Sequence, residues 1–474
     1  MGTPITAVLI GAGRRGVEIY GDYALKNKNK LKFVAVAEPI ESRRKKFALL
    51  HEISKENCYK SWKSLLEKDK LADVAFICTQ DQMHTQPTIK ALEKGYDILL
   101  EKPMAHKLED CVQIVKKVEE TGRILGIGHV LRYTDFFSKI YRLIREGCIG
   151  DIVNITHREN IMWYHTAHSY VRGPWARSAD SSPMILAKCC HDLDLLYWLT
   201  DDVPIKIQSF GNLLHFRQEN APEGAPEYCL NGCPAKSTCL YYAPRIYIDV
   251  IPILQIMLKS NNKFLKILAK LRKNHVKLLT YLSKFITPLK RLRYWRDFPI
   301  YYLYEDQKED YSDESKTEIL KNSPYGRCVY QCNNDVVDHQ IVNIEFKKGV
   351  TANLTMNGFS EQEGRVIRID GTQATIIGEF HESGELIKLY DFLSGKEKII
   401  HQKKLALKSE ENSGANPKLI DDFIKSLIKK KKRQPLTNAR ASLESHLMAF
   451  AAEESRLKNK VINMKDFREK AEKI

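Results

Sequence analysis

Long apolar runs are missing from this chain of 474 residues. No apolar stretch reaches the roughly eighteen uncharged residues that a membrane-spanning helix needs, so the sequence predicts no such helix. The N-terminal region also lacks a basic segment followed by an apolar one, the mark of a secretory signal. We therefore expect a cytoplasmic protein whose eleven cysteines are mostly reduced thiols. Internal repeats and low-complexity tracts are missing too.

Acidic residues are absent between Lys259 and Arg296, where twelve lysine or arginine residues stand. This segment accounts for most of the formal net charge of +16. On a helical projection its lysines lie opposite an apolar face, and Pro288 would end the helix. The apolar face consists of Phe264, Ile267, Leu268, Leu271, Leu278, Leu279, Leu282, Phe285 and Ile286. Such a helix can lie on an anionic membrane or pack against protein, and both interpretations stay open. Nucleic acid is disfavoured, because stacking aromatic residues are not interleaved with the basic ones.

The rest of the composition, 43% hydrophobic and 28% charged, is that of an ordinary soluble protein of about two domains. Residues 1–130 alternate strands and helices, which predicts a Rossmann-type, doubly wound parallel sheet. Residues 131–474 predict an α/β domain with a large, mainly antiparallel open sheet, interrupted by the basic insertion at about 250–320. Its predicted strands are Ile152–Arg158, Ile205–Phe216, Gln340–Phe346, Val350–Asn357, Val366–Gly371, Ala374–Phe380 and Glu385–Tyr390.

A glycine-rich turn, GAGRRG at residues 11–16, follows the first predicted strand, Ile5–Ile10, and precedes a predicted helix. This context gives the G-x-G-x-x-G pattern its meaning. Gly11 allows the tight turn, Gly13 lets the backbone approach a pyrophosphate, and Gly16 lets the helix pack on the strand. The helix N-terminus supplies N–H groups and the positive end of its dipole. The turn therefore predicts a dinucleotide cofactor.

The choice of dinucleotide depends on Glu38, which ends the second predicted strand 22 residues after Gly16. A carboxylate there accepts hydrogen bonds from the ribose hydroxyls and repels a 2′-phosphate, so NAD is favoured. Arg43 and Arg44 follow closely and keep NADP open.

Lys102 stands directly after the predicted strand Asp97–Leu100, in the motif Glu101-Lys102-Pro103. Ligands bind at the carboxyl ends of the strands in open α/β sheets, so this position suits chemistry. The ammonium can hydrogen-bond a substrate hydroxyl, and desolvation can bring its pKa toward the working range. We predict that Lys102 is an acid/base catalyst.

The chain resembles the Gfo/Idh/MocA oxidoreductases over nearly its whole length apart from the insertion. The matching motifs are GAGRRG, Glu38, CTxDxxH at 78–84, EKP at 101–103, HVLRY at 129–133, KCCHDLD at 188–194 and the closing helix at 441–456. The resemblance implies hydride transfer with NAD(P), an open sheet used for homo-oligomers (dimers or tetramers), and a role for Arg132 in the substrate site. For the cofactor it implies that the glycines are joined by Arg14, Arg15, Arg43, Thr79, Asp81, His84, Glu101 and Lys102.

The resemblance also implies that His191 helps Lys102 handle the proton of the hydroxyl that is oxidised. Many relatives carry an aspartate four residues earlier, where this chain has Ala187. Lys188 and Asp192 are candidates to replace that aspartate. Lys188 lies three residues before His191 on the same helix face, and Asp192 follows His191 directly.

The segment Glu159–Arg177 is rich in aromatic residues and histidines, a composition suited to sugar hydroxyls. Similar segments occur in one sugar-active branch of the family. Substrate contact and a structural loop are both considered for it, and the candidate contacts are Tyr164, His165, His168, Arg172 and Trp175. A later segment of the same branch pattern adds Asp335, Asp338 and His339 as candidates.

One cluster of cysteines, Cys229, Cys233 and Cys239, is suited to a structural zinc site with Cys332 or Cys328 as the fourth ligand. The spacing is not a standard pair of CxxC motifs, so an iron–sulfur centre and simple reduced thiols stay open. A catalytic metal is disfavoured, because lysine and histidine chemistry does not need one.

Three functions compete. The first is an NAD(P)-dependent dehydrogenase acting on a secondary hydroxyl of a sugar, sugar derivative or cyclitol. The second is a redox-neutral glycosidase or epimerase, in which transient oxidation acidifies a neighbouring C–H and the bound cofactor returns the hydride. The third is a non-catalytic or membrane-docked scaffold, against which the intact Lys102 and His191 argue.

Overall fold

The computed structural model describes residues 3–249, 251–259, 263–274, 313–381, 383–404, 414–428 and 433–473. In this part of the chain no helix is both long enough and apolar enough to cross a membrane. The last part of the predicted basic helix, residues 275–288, lies outside the described residues. Its first part is present as the helix Lys263–Asn274, which packs against a preceding helix, Ile251–Lys259.

The N-terminal region forms a six-stranded parallel sheet of order β3-β2-β1-β4-β5-β6. Its strands are β1 Ile5–Ile10, β2 Leu31–Ala37, β3 Cys58–Tyr59, β4 Val74–Ile77, β5 Asp97–Leu100 and β6 Leu125–Ile127. The central strands are apolar and buried because helices cover both faces, as parallel sheets require. The π-helical turn Arg15–Gly21 leads into α1 Asp22–Lys26, followed by α2 Glu41–Leu50, α3 Trp62–Leu66, α4 Thr85–Glu93 and α5 Leu108–Thr121. This confirms the predicted Rossmann sheet.

The rest of the chain is built on a nine-stranded mixed sheet of order β14-β13-β12-β11-β7-β10-β9-β8-β15. Its strands are β7 Ile152–Met162, β8 Pro204–Asn212, β9 His339–Phe346, β10 Thr351–Ser360, β11 Gly364–Gly371, β12 Ala374–His381, β13 Gly384–Asp391, β14 Glu397–Lys404 and β15 Ile462–Asn463. The pairing is antiparallel except between β7 and β10, so the mainly antiparallel sheet is confirmed. The edge strand β14, which is rich in lysine, was not predicted.

The helices of this region are α6 Asp135–Arg145, α7 Trp163–His165, α8 Met184–Ala187, α9 Cys190–Thr200, α10 Ala243–Tyr247, α11 Ile251–Lys259, α12 Lys263–Asn274, α13 Asp313–Asn322, α14 Ala415–Ile428, α15 Ala439–Lys458 and α16 Met464–Glu472. Of these, α6, α9, α15 and α16 pack against strands of the nine-stranded sheet. Helix α15 packs against α9, β8 and α5, so it ties the two sheets together. Helix α14 shares a hydrophobic core with β1, β2 and β4. The chain therefore returns to the Rossmann sheet long after the predicted boundary near residue 130.

Candidate active site

The three glycines of the turn after β1 have different reasons to be glycine. Gly11 has a φ of +94°, and a Cβ there would lie 2.7 Å from the Cys78 carbonyl oxygen. A Cβ on Gly16 would lie 2.4 Å from the Gly11 oxygen. A Cβ on Gly13 would meet nothing within 4 Å, so the packing of the protein itself does not require that glycine. The bare backbone and open space at Gly13 fit a close approach by a phosphate group.

Glu38 is buried at the end of β2 and faces the glycine turn. Its Oε2 accepts from the Ala12 N–H at 2.8 Å and its Oε1 accepts from the Ile40 N–H at 3.0 Å. Arg44 donates to the Glu38 carbonyl oxygen, while Arg43 is half-buried. The carboxylate is therefore fixed at the position where the sequence predicts contact with the ribose.

The arginines of the turn contact protein groups. Arg14 pairs with Glu18 at 3.1 Å on the surface. Arg15 donates to Glu101 Oε1 at 2.8 Å, and Tyr20 donates to the same oxygen at 2.6 Å. Burial raises the pKa of the Glu101 carboxyl, but Arg15 and Tyr20 outweigh it and hold that pKa below its usual value. Glu101 is thus a buried carboxylate that anchors the turn beside Lys102.

Lys102 reaches from the end of β5 to the second region of the chain, where its Nζ donates to the Ala187 carbonyl oxygen at 2.9 Å. The nearby loops are cross-linked by His84, whose ring nitrogens lie 2.7 Å from the Pro103 oxygen and 3.1 Å from the Thr79 oxygen. His84 is 1% exposed, so it positions the loop that carries Lys102.

Asp81 makes a second link between the two regions. It is buried and accepts from Trp175 Nε1 at 3.1 Å and from the Ser182 hydroxyl at 3.2 Å. His84 and Asp81 were both predicted to contact the cofactor. In the structure they bind protein groups and hold the loops around the site in place.

Three neutral histidines lie next to Lys102, and we call His129, His191 and His446 the histidine cluster. The rings of His129 and His191 are 5.5 Å apart, and those of His129 and His446 are 5.6 Å apart. Burial, followed by the charge of Lys102, holds the pKa of His191 well below its usual value. His129 and His446 were not predicted as site residues, because a lone histidine in a sequence resembles any other buried histidine.

Arg132 lies under this cluster and binds Asp194 through two hydrogen bonds of 2.7 and 2.6 Å. Both side chains are almost fully buried. The predicted substrate contact Arg132 therefore holds a carboxylate of the protein.

Five charged side chains form a second group, the ionic cluster: Glu159, Lys188, Asp192, Glu363 and Arg365. Lys188 Nζ lies 2.7 Å from Glu363 Oε1 and 3.2 Å from Glu159 Oε1. Arg365 lies 2.7 Å from Asp192 Oδ1 and 2.9 Å from Glu159 Oε2. Arg365 lies on β11 and Glu363 directly precedes that strand, far from the predicted motifs. The signal that identifies them is a pair of charges at alternate positions where a strand begins.

The pairing fixes the protonation of two catalytic candidates. Burial lowers the pKa of the Lys188 amine, but Glu363 and Glu159 outweigh it and hold that pKa well above its usual value. Burial raises the pKa of the Asp192 carboxyl, but Arg365 and His157 outweigh it and hold that pKa well below its usual range. Lys188 is therefore a fixed cation and Asp192 a fixed anion. This geometry favours a structural task for both side chains, and replacement of the missing aspartate by either of them stays a prediction.

Glu159 differs from its neighbours. Burial, only partly offset by Arg365 and Lys188, raises the pKa of its carboxyl to about 7. It is fully buried on β7, directly opposite Arg365 in the antiparallel register.

The aromatic segment after β7 divides between two places. His165 Nδ1 lies 3.1 Å from Glu363 Oε1, and Tyr164 and Trp175 are half-buried nearby in the sequence. His168 is buried and stacks on Tyr325 with ring centroids 4.7 Å apart. His165 thus contacts the ionic cluster through Glu363, and Trp175 contacts the Rossmann region through Asp81.

Arg172 lies in a different core. It donates to the Arg327 oxygen at 2.7 Å and to the Tyr241 oxygen at 2.8 Å. It also approaches Cys229 Sγ at 3.7 Å. Both Arg172 and His168 are buried among protein groups, and their contact with a substrate stays a prediction.

The later candidates also have protein partners. Asp335 Oδ1 accepts from the Ser178 N–H at 2.7 Å. Asp338 Oδ2 accepts from the N–H groups of Leu214 and His215 at 2.9 and 2.7 Å, and its Oδ1 pairs with His339. These residues hold loops in place.

A small cavity is lined by Cys229, Cys233, Cys239 and Cys328. Cys332 Sγ instead donates to the Cys328 carbonyl oxygen at 3.1 Å. Among the residues that the structure describes, no group of three or more His, Cys, Asp or Glu side chains could hold a metal ion. The predicted zinc site is therefore not supported. Burial raises the pKa of the Cys328 thiol to about 11, as expected for a reduced thiol in a protein core.

Comparison with known proteins also indicates a dinucleotide-binding Rossmann fold. Residues 5–129 match the model of the oxidoreductase family GFO_IDH_MocA, described as an NAD-binding Rossmann fold. A 2,7-anhydro-N-acetylneuraminate hydratase of Escherichia coli is 30% identical over 151 residues, which are 32% of this chain and 40% of that protein. A scyllo-inositol 2-dehydrogenase (NAD(+)) of Bacillus subtilis is 28% identical over 186 residues, 39% of this chain and 51% of that protein. The matches thus span about half or less of these relatives.

An oxidoreductase of Agrobacterium radiobacter, solved in complex with NAD+, L-tartaric acid and magnesium, matches the whole fold. The TM-score is 0.63 at 14% identity, covering 98% of this chain and 99% of that chain. The sheet and its glycine turn define a dinucleotide-binding protein of the Rossmann class. Its N-terminal region, residues 5–129, is similar to the NAD-binding domain of the Gfo/Idh/MocA oxidoreductases.

Proposed function

We propose that the protein is an NAD(P)-dependent oxidoreductase that acts on a secondary hydroxyl of a sugar, sugar derivative or cyclitol. The observation that carries the proposal is the meeting of Lys102 with the α8–α9 segment, which brings an amine beside His191 at the carboxyl end of β5. The glycine turn and Glu38 lie on the same edge of the sheet. The dehydrogenase relative gives independent support for the substrate class.

The residues have separable tasks in this reaction. Oxidation of a secondary alcohol removes a hydride from carbon and a proton from oxygen and leaves a ketone. A nicotinamide cofactor held by the glycine turn and Glu38 would supply the hydride acceptor. Lys102 and His191 handle the hydroxyl proton together: the free ring nitrogen of neutral His191 accepts the proton, and the Lys102 ammonium donates a hydrogen bond to the same oxygen. The Ala187 carbonyl directs the Lys102 amine, while Glu363 keeps the Lys188 cation beside the cleft.

Glu38 supports NAD as the cofactor, with NADP left possible by Arg43. We expect the Glu38→Ala variant to bind NAD more weakly by about 1–3 kcal/mol, because a buried acceptor of ribose hydroxyls is lost. Titration calorimetry with NAD and NADP measures both affinities. An unchanged NAD affinity would contradict the assignment of Glu38.

A redox-neutral reaction is the second candidate, favoured by the hydratase relative from Escherichia coli. In such a reaction transient oxidation acidifies a neighbouring C–H, and the hydride returns to the substrate before release. The first part is identical to a dehydrogenation, so the same Lys102 and His191 serve both.

A panel of sugars, cyclitols and anhydro-sugars tests both candidates when NADH absorbance and product mass are read together. Net dehydrogenation gives NADH and a product lighter by two hydrogens. Redox-neutral chemistry changes the product without net NADH. A protein that binds NAD but changes no compound of the panel would favour the scaffold hypothesis.

Homo-oligomerisation is also part of the proposal. The outer face of the nine-stranded sheet carries Phe210, Ile341 and Phe359, which are exposed by 52%, 39% and 37%. Large apolar side chains on one open sheet face favour contact with a second copy. Light scattering of the wild type and of Ile341→Lys measures the oligomeric state, and we expect the variant to dissociate.

Membrane contact and a cytoplasmic location stay predictions. In the part of the insertion that the structure describes, Leu268 is buried while Phe264 and Ile267 are exposed. If lysines hold the insertion to anionic lipid, co-sedimentation with anionic vesicles weakens with salt, because each lysine adds roughly 1 kcal/mol that ions screen. Packing against protein predicts no sedimentation at low salt.

A further inference from the structure

His129 is an unusual histidine for a protein interior. It is 0% exposed, and within the described residues neither of its ring nitrogens has a hydrogen-bond partner. A buried polar group without a partner lowers the stability of the fold, so such a group calls for an explanation. His191 presents a matching feature, because its buried Nδ1 also lacks a partner among these residues.

The surroundings of His129 give its two nitrogens different neighbours. Nε2 lies 4.0 Å from Asp194 Oδ1, a carboxylate that Arg132 holds in place. The rings of His191 and His446 both lie in edge contact range of the His129 ring, with centroids 5.5 and 5.6 Å away. Lys102 and Glu101 are the remaining charged groups that act on it.

His446 is excluded as the partner that His129 needs. Its Nε2 accepts from the Met104 N–H at 2.8 Å, and its Nδ1 donates to the Ser442 oxygen at 2.7 Å. Both nitrogens of His446 are therefore used, and its protonation is fixed. Only the Asp194 and His191 sides of His129 have hydrogen-bonding capacity to share.

We propose that His129 is a positioning residue that joins Asp194 to His191. Nε2–H of His129 donates to the Asp194 carboxylate, and Nδ1 of His129 accepts from Nδ1–H of His191. Nε2 of His191 then carries the lone pair that faces the substrate hydroxyl. The relay orients His191, the task assigned to the aspartate that many relatives carry at the position of Ala187. The proposal rests on the proposed function. Contacts of this kind are often long without substrate and tighten in the reactive complex.

Tautomers observed by nuclear magnetic resonance test the relay without any substrate. The protein is labelled with ¹³C,¹⁵N-histidine and saturated with NAD+, and the His191 signals are assigned by their loss in His191→Gln. We expect His191 to be protonated at Nδ1 in the wild type. His129→Phe should shift at least half of the His191 population to the Nε2–H tautomer. An unchanged tautomer in that variant would overturn the proposal.

Two further variants keep the test sharp. His129→Gln retains a donor for Asp194 and an acceptor for His191, so it should preserve the wild-type tautomer even if His129→Phe does not fold. His446→Gln removes a ring at the same distance from His129 but outside the relay, so it should leave the His191 tautomer unchanged. A tautomer shift in His446→Gln as large as in His129→Phe would show a general packing effect and contradict the relay.

Activity gives an independent reading on any compound that the panel shows to be a substrate. His129→Phe should lower kcat by roughly 10–100-fold with little change in KM, the usual scale for a group that orients a functional histidine. His129→Gln should recover most of that loss. If no compound is turned over, the proposed function fails, and the tautomer measurement still decides the relay.

Discussion

The histidine cluster and the ionic cluster flank the same α8–α9 segment, yet they treat charge in opposite ways. In the ionic cluster every side chain lies within 3.2 Å of an opposite charge. In the histidine cluster burial holds the pKa of each ring low, to about 3 for His446, so the rings are neutral. Paired charges hold each other's protonation state and fix the positions of the side chains. Neutral rings with unused nitrogens can redirect hydrogen bonds when a substrate arrives.

The comparison assigns the candidates of the sequence to two kinds of task. Lys102 and His191 lie with the neutral rings and are suited to proton handling. Lys188 and Asp192 lie in the ionic cluster and are suited to holding the shape of the cleft. These four catalytic candidates, which stand in two motifs of the sequence, are thus distinguished by their partners in the structure.

Removing a charge from the ionic cluster should have the largest effect on stability. In the Arg365→Met variant the carboxylates of Asp192 and Glu159 lose their shared cation in a buried site. We expect the free energy of unfolding to fall by about 3–5 kcal/mol, measured by urea denaturation.

Arg368→Met is the matched control, because Arg368 lies on the same strand and pairs with Asp370 on the surface. We expect it to change stability by at most about 0.5–1 kcal/mol. Equal effects of the two variants would contradict the distinction between a buried cluster and an ordinary ion pair.

Glu159→Gln tests the one group of the ionic cluster that titrates near neutral pH. The pKa of its carboxyl is raised to about 7 in the fold, above its unfolded value, so the folded protein binds a proton more tightly than the unfolded chain. Stability from this group is full below the unfolded pKa and is lost as the pH rises toward 7. We expect the variant to lack this loss, which is at most about 3 kcal/mol.

Denaturation of the wild type and the variant between pH 4.5 and 8 gives the comparison. Parallel stability curves would show that Glu159 keeps an ordinary pKa and that the cluster is fully ionised throughout.

Gly13→Ala should have a smaller effect, confined to the cofactor. A Cβ there meets nothing within 4 Å, so the free energy of unfolding should stay within about 0.5 kcal/mol of the wild type. The added methyl group occupies space needed by the phosphates, and we expect NAD affinity to fall by about 1–3 kcal/mol.

Gly16→Ala is the contrasting variant, because its Cβ meets the Gly11 oxygen and should destabilise the fold itself. Thermal denaturation and calorimetry with NAD separate the two variants. Normal NAD binding by Gly13→Ala would contradict the phosphate site.

The sequence predicted the parts of the site that are local. The glycine turn, Glu38 and Lys102 each stand at the end of a buried strand, and a parallel sheet brings such ends together. The strands of the nine-stranded sheet could be predicted because only one face of each strand is apolar.

The sequence could not predict the parts that depend on register between distant strands. Arg365 faces Glu159 only because β11 pairs with β7 across 206 residues of chain. The contacts of His129 with His191 and His446 likewise require the segment after β6, helix α9 and helix α15 to pack at one point. For Arg172 and His168 composition suggested a sugar site, whereas packing placed them in the core next to the cysteines.

The most direct test of the account follows the hydride. Each compound of the panel is prepared with deuterium on its secondary carbinol carbons and incubated with NAD+ and the protein. The account predicts that the deuterium passes to the cofactor, or leaves and returns within one turnover, as read by mass spectrometry of both species. It also predicts that Lys102→Ala slows this transfer by roughly 10²–10⁴-fold with nearly unchanged NAD affinity. Transfer by Lys102→Ala at the wild-type rate would contradict the account.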